Sequence, residues 1–147
     1  MNIKKILVLL LFLVAIIGIL APVNAKINVE AYSPKKPTDG KSSINLYVIS
    51  KVGKNNFDES HKAQVARKKE LSKVNKMSIK VKGYKKVVFK KPSKGWKLEY
   101  KNFYIFKSFS VKGKASGKNY LMKFYNKKGK LFRSVKGKVM AHEYDTN

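Results

Sequence analysis

The residues able to do acid-base or nucleophilic chemistry are few here, and their spacing is poor. Ser33-Pro-Lys-Lys36 puts a hydroxyl three positions before an amine, the spacing of a serine nucleophile deprotonated by lysine. It sits in a proline loop, without the Ser-Asp-Asn or Lys-Thr-Gly that would complete such a site. The two histidines, His61 and His142, are far apart and neither belongs to a zinc-spaced cluster. Asp58, Glu59 and His61 could touch a cation together, but a capped helix start uses the same residue types. His142, Glu143 and Asp145 crowd the C-terminus, where disorder is the default. The 8 acids are scattered singly, which leaves no paired carboxylates for general acid-base work. We therefore expect no catalytic residue, no metal ligand, no cofactor and no enzyme.

Binding chemistry is better represented. Lys82-Gly-Tyr-Lys-Lys-Val-Val-Phe89 tracks the signature of the RNA-recognition motif at Lys82, Gly83, Tyr84, Val87 and Phe89. Lys86 stands where an aromatic should stack on a base, so no specific nucleic-acid partner is expected. Trp96, Tyr100, Phe103, Tyr104, Phe106 and Phe109 interleave with Lys97, Lys101 and Lys107, the pattern of single-strand and some sugar binders. A cysteine-free β-domain also needs aromatics for its core, and Trp96, Phe109, Phe124 and Phe132 are assigned there. Tyr100 and Tyr104 remain as candidate ligand-facing aromatics. The densest basic cluster is Lys85, Lys86, Lys90, Lys91 and Lys94, the candidate polyanion site; lysines that merely keep edge strands from pairing would look the same.

The elements that must position these residues read mostly as strands. Ile27, Val29 and Ala31 alternate with polar neighbours, an edge strand, and a loop over 33–43 follows with two prolines and Asp-Gly. Ile44 to Ser50 forms a second strand, and the pattern breaks over Gly53 to Phe57. A short helix near 59–76 is capped by Asp58, with acids first and Arg67, Lys68, Lys69, Lys73 and Lys76 farther on. Its apolar stripe is thin: Ala63, Ala66, Val74 and either Val65 or Leu71. Met77, Ile79 and Val81 alternate, and Val87 to Lys90 is a short strand stopped by Pro92. Three more strands run roughly over 104–116, 120–126 and 130–140, with a bulge expected around Lys107, since alternation from Ile105 to Phe109 would otherwise bury a lysine. Ser-Val-Lys-Gly-Lys occurs at Ser110 to Lys114 and again at Ser134 to Lys138, read as equivalent strand exits. Asn126-Lys-Lys-Gly129 suits a type I hairpin loop, with Gly accepting positive φ and the lysines facing water.

The first 25 residues read as a leader. Lys4-Lys5 precedes an apolar run from Ile6 to Ala21, and Val23 and Ala25 occupy the small-residue positions of a cleavage site after Ala25. The alternative is an uncleaved N-terminal membrane anchor. After cleavage no second apolar stretch approaches membrane length. Without cysteine there is no lipid attachment and no disulfide framework, so residues 26–147 form a single domain that relies on its core. The 34 Lys plus Arg lose two with the leader, leaving 32 against 8 acids, or +24. That charge attracts polyanions of any kind. Only Arg67 and Arg133 are arginines, so bidentate recognition is scarce and diffuse attraction is favoured.

Tyr125-Asn-Lys-Lys-Gly129 resembles the Tyr-Asp-x-x-Gly hairpin of small secreted immunoglobulin-like β-sandwiches of the FxLYD type, with Asn126 where Asp is usual. The chain as a whole is similar to small lysine-rich exported proteins of methanogenic archaea, which implies a surface location and no reaction. The expected fold is mainly β: an immunoglobulin-like antiparallel β-sandwich of about seven strands with one short helix. The expected function is that of a non-catalytic exported or cell-surface protein, associating with anionic envelope polymers by diffuse lysine charge. A specific protein- or carbohydrate-binding module using exposed aromatics and loops, or a contact with another surface protein, is the alternative.

Overall fold

The computed structural model describes residues 25–53 and 58–142. The leader and its cleavage site lie outside these apart from Ala25, as do Glu143, Asp145 and all but Gly53 of the expected break over 53–57.

Alternation decides which side chains face inward. β1 (Ala25–Ser33) buries Ile27, Val29 and Ala31, and β2 (Lys41–Val52) buries Ile44, Leu46 and Val48 against it. The two pair antiparallel from Ala25↔Val52 to Tyr32↔Asn45. After α1 (His61–Ser72) come β3 (Lys76–Val81), β4 (Val87–Lys90), β5 (Tyr104–Lys112), β6 (Asn119–Tyr125), β7 (Leu131–Lys138) and the two-residue β8 (Met140–Ala141). One sheet has the order β5-β2-β1-β8 and the other β4-β3-β6-β7. This is an immunoglobulin-like sandwich in which β4 stays beside β3. The inner faces meet in one core that takes in Met77, Ile79, Met122, Phe124 and Trp96, each side chain contributing about 1.5–3 kcal/mol of burial. Phe109 and Phe132 pack on its margin.

Several expectations need correction. The helix begins at His61 rather than Glu59, because Ser60 is the N-cap and its hydroxyl accepts from Ala63 N at 3.2 Å. Asp58 instead accepts from the Ser60 backbone N–H, and the first turn holds no acid. The helix stops at Ser72, and its buried side is Ala63, Arg67 and Leu71, while Val65 faces water. Arg67 reaches inward because its guanidinium finds two carbonyls, those of Asp58 and Lys101, and lies 3.8 Å from the centre of the Phe103 ring. Burial pulls the Arg67 pKa down, with Asp58 and Glu59 opposing.

No bulge occurs at Lys107. The β2–β5 register runs unbroken through Leu46↔Lys107, so Lys107 shares the inward parity of Ile105 and Phe109. Its ammonium lies 5.6 Å from the Trp96 ring centre and 5.9 Å from that of Phe89, at a gap between the sheets where a long stem is covered and the charge meets π-faces. The irregularity falls instead between Phe124 and Tyr125, at the hairpin. There the Asn126 side chain accepts from Lys128 N and Lys130 N, both at 3.0 Å, and Gly129 takes φ 77°. The two Ser-Val-Lys-Gly-Lys copies are not equivalent. Gly113 follows β5 in a positive-φ turn, whereas Gly137 lies inside β7 against the Tyr120 ring.

β1 is nearly an edge strand, since β8 covers it only at Tyr32 and Ser33. Its outward carbonyls are nevertheless taken. Arg133 Nε donates to Ile27 O at 2.9 Å, the Tyr120 hydroxyl to Val29 O at 3.4 Å, and His142 N to Ser33 O at 3.1 Å. An open row of acceptors invites a foreign strand, and here it is closed by Arg133 and Tyr120 from the opposite sheet and by His142 beyond β8. Burial raises the Tyr120 pKa.

Candidate binding faces

The two outer faces of the sandwich differ in chemistry. Register places Lys76, Lys80, Lys90, Lys123, Lys136 and Lys138 on the solvent side of β4-β3-β6-β7. Two open basins lie along this side and its margin, each of about 620 Å³. Lys80, Lys82, Lys136 and Lys138 line the first with Asn119; Lys35, Lys36, Lys114 and Lys138 line the second with Ser116. Lys138 belongs to both and joins them. Lysines separated widely in sequence thus gather because β6 and β7 carry them in register.

The five lysines singled out by sequence density are spread along the β4 edge. Lys85 and Lys86 precede the strand, Lys90 ends it and Lys94 sits in the turn closed by Gly95 N to Pro92 O, so the two groups stand about 13 Å or more apart. Lys91 is committed elsewhere: its ammonium donates to Ser72 O at 2.9 Å, at the C-terminus of α1 where a cation is favoured. Both arginines hold backbone carbonyls, Arg67 through its two terminal nitrogens and Arg133 through Nε.

The Lys82–Phe89 segment is not a stacking platform. Tyr84 spends its hydroxyl on Lys112 O, at 2.6 Å, and Lys114 O, at 3.2 Å, which ties the β3–β4 turn to the far end of β5. Val87 and Phe89 face the core. Ser33 is buried at the end of β1, with Lys36 exposed in the loop beyond, and His61 stands exposed at the start of α1. Among the described residues no group of three or more His, Asp or Glu could hold a metal ion. No helix among them is long and apolar enough to cross a membrane.

The other outer face carries aromatics. Tyr104 and Phe106 on β5, Tyr47 on β2, Tyr32 on β1 and His142 just after β8 form a row that crosses all four strands of the sheet. Centroid separations along it are 5.2 Å for Tyr104–Tyr47, 5.9 Å for Tyr47–Tyr32 and 6.0 Å for Tyr32–His142. Phe106 lies 5.3 Å from Tyr47 and is 40% exposed. Beside the rings stand Asn28, Glu30, Ser43, Asn45 and Ser108, on the same outward positions of their strands. Ser108 donates to Asn45 Oδ1 at 3.0 Å and Tyr32 donates to Glu30 at 3.1 Å. Lysines occur on this face only at the strand ends, as Lys26, Lys51, Lys41 and Lys112.

Tyr104 therefore belongs to the row, and Tyr100 does not. Tyr100 is 65% exposed and packs on Phe103 at 5.7 Å. It opens a left-handed turn in which Tyr100, Lys101 and Asn102 have φ of 47°, 55° and 63°, at about 1–2 kcal/mol each for Tyr100 and Lys101 and less for Asn102, a residue type that tolerates this region. Arg67, the 2.6 Å Glu59–Lys101 pair and a bond from Asn102 to Gln64 O hold that turn in place. Glu59 raises the Lys101 pKa through that bond. Phe106 was among the interleaved aromatics of the sequence, whereas Tyr32, Tyr47 and His142 were not found from it as binding aromatics, although Tyr32 and Tyr47 occupy outward positions of alternating strands. Comparison with protein-family models, curated proteins and solved structures gives no match for this chain.

Proposed function

We propose that the chain is a non-catalytic protein of the cell envelope, exported by its leader, which attaches to anionic envelope polymers. Attachment runs through the lysine face of β4-β3-β6-β7 and the basins joined at Lys138. The observation that carries this reading is the segregation of charge: six lysines lie on one sheet's outer face, and none at the centre of the other's. Lysine ammoniums are hydrated point charges, suited to a repeating polyanion rather than to one shaped phosphate or carboxylate. A second reading, a specific protein- or carbohydrate-binding module, draws support from the aromatic row.

The test is cosedimentation of residues 26–147 with anionic cell-envelope material across a salt series. Attraction by lysines makes binding fall steeply as salt rises. Replacing Lys123, Lys136 and Lys138 by Gln should weaken binding and flatten that slope. Replacing Lys62, Lys68 and Lys69 on α1 removes the same charge from another surface and should do less. Equal losses from both triples would refute a face and leave only net charge.

A further inference from the structure

We propose that the outer face of β5-β2-β1-β8 binds a neutral polysaccharide chain along the row Tyr104–Tyr47–Tyr32–His142. This rests on the second reading, that the aromatics engage a partner, and gives that partner a chemical class. It does not depend on the lysine face.

Three features of the row point to sugar. The ring centroids follow one another at 5.2–6.0 Å, one strand after the next; Tyr32 and His142 lie near-parallel at 21°, while Tyr47 is turned 80° to Tyr32 and 64° to Tyr104, so the row offers a chain ring edges as well as ring faces. Pyranose rings present C–H faces that pack on aromatic π-systems, and their hydroxyls need donors and acceptors at the ring edge. Glu30, Asn45 and Ser108 stand beside the rings as acceptor and donor groups, with Tyr32 donating to Glu30 and Ser108 to Asn45. A nucleic-acid strand would need cations between the stacking rings, and a polyanion would be drawn to the opposite face. A second copy of this chain would have to approach against its own strong positive charge.

The face is also hard to explain otherwise. Lysine is the commonest way this sequence makes a surface soluble, yet the outward positions from Asn28 to Tyr32, from Ser43 to Ile49 and from Tyr104 to Ser110 contain none. Tyr32, Tyr47 and Tyr104 pack on one another across the strands, but Phe106, 40% exposed, would there be a solubility liability. Phe106, exposed beside Tyr47, gives the core nothing.

The experiment uses residues 26–147 and a panel of soluble neutral polysaccharides, namely a β-glucan, a mannan, a galactan and a xylan. Binding is read by tyrosine fluorescence and sedimentation at about 1 M salt, where a Debye length of about 3 Å removes charge attraction. The expected result is saturable binding of at least one member, about tenfold weaker in Tyr47→Ala and in Phe106→Ala. It should be unchanged in the triple Lys123→Gln, Lys136→Gln, Lys138→Gln variant. Phe106→Ala removes an exposed ring and keeps the test valid if Tyr47→Ala unfolds. A flat response to every polysaccharide, with a single-stranded oligonucleotide or an envelope protein bound through Tyr47 instead, would overturn the sugar and keep the site. A flat response to all of these would overturn both.

Discussion

Gly137 matters through the atom it lacks. Its backbone is one that any residue can adopt, but a Cβ there would run into the Tyr120 ring. The ring cannot retreat easily, since it is buried and its hydroxyl is fixed on Val29 O. Gly137→Ala should therefore destabilise the fold by about 1–3 kcal/mol in urea unfolding, the usual cost of overpacking. In a Tyr120→Ser background the same change should cost far less, because the obstacle has gone and the two sites are directly coupled. Equal costs in both backgrounds would place the effect in the strand itself. Asn126 works in the opposite way, by what its side chain adds. One oxygen organises two backbone donors of the β6–β7 hairpin, a role that an Asp carboxylate could fill as well.

At the scale of the element, β5 shows where alternation leads. Lys107 faces inward because the register on β2 is kept, and Phe89 and Trp96 give its stem and charge somewhere to lie. Lys107→Met should leave chemical stability unchanged or raise it by about 1 kcal/mol, since a well-shaped apolar side chain avoids the desolvation of the ammonium. Lys107→Glu should lower it, because the rings repel an anion; a fall in the Met variant as large as in the Glu variant would show that the ammonium itself, through its contact with the rings, stabilises the site. The hairpin at 126–129 was legible in sequence because its hydrogen bonds are local, and so were the inward residues of β1, β2 and β3, whose alternation is uninterrupted. The Lys107 site was not legible, because the groups that accept the lysine come from β4 and the following turn. The cap fell two residues from its expected place since Asp58 and Ser60 both offer a suitable oxygen. The basic cluster expected over 85–94 was dense along the chain but is divided in space by a strand. The aromatic row reversed this: His142 and Tyr32 come from opposite ends of the domain and meet only through β8.

The whole molecule is a thin two-sided slab, with lysines on one broad face and aromatic and small polar groups on the other. An anionic surface should orient it, lysine side down, and leave the aromatic row pointing away. The two faces are separated by the full core, so no side chain belongs to both. Saturating the protein with a polyanion should accordingly leave its affinity for a neutral polysaccharide unchanged, measured by competition at low salt; mutual displacement would mean that both ligands use one surface. The sealing of β1 has a consequence in time. Arg133 and Ile27 are 106 positions apart, and Tyr120 and Val29 are 91 apart. A chain made from its N-terminus thus completes its first strand last, and until Arg133 arrives the growing polypeptide carries a bare template. The hazard of cross-pairing belongs to the nascent chain, and the finished protein has already outlived it.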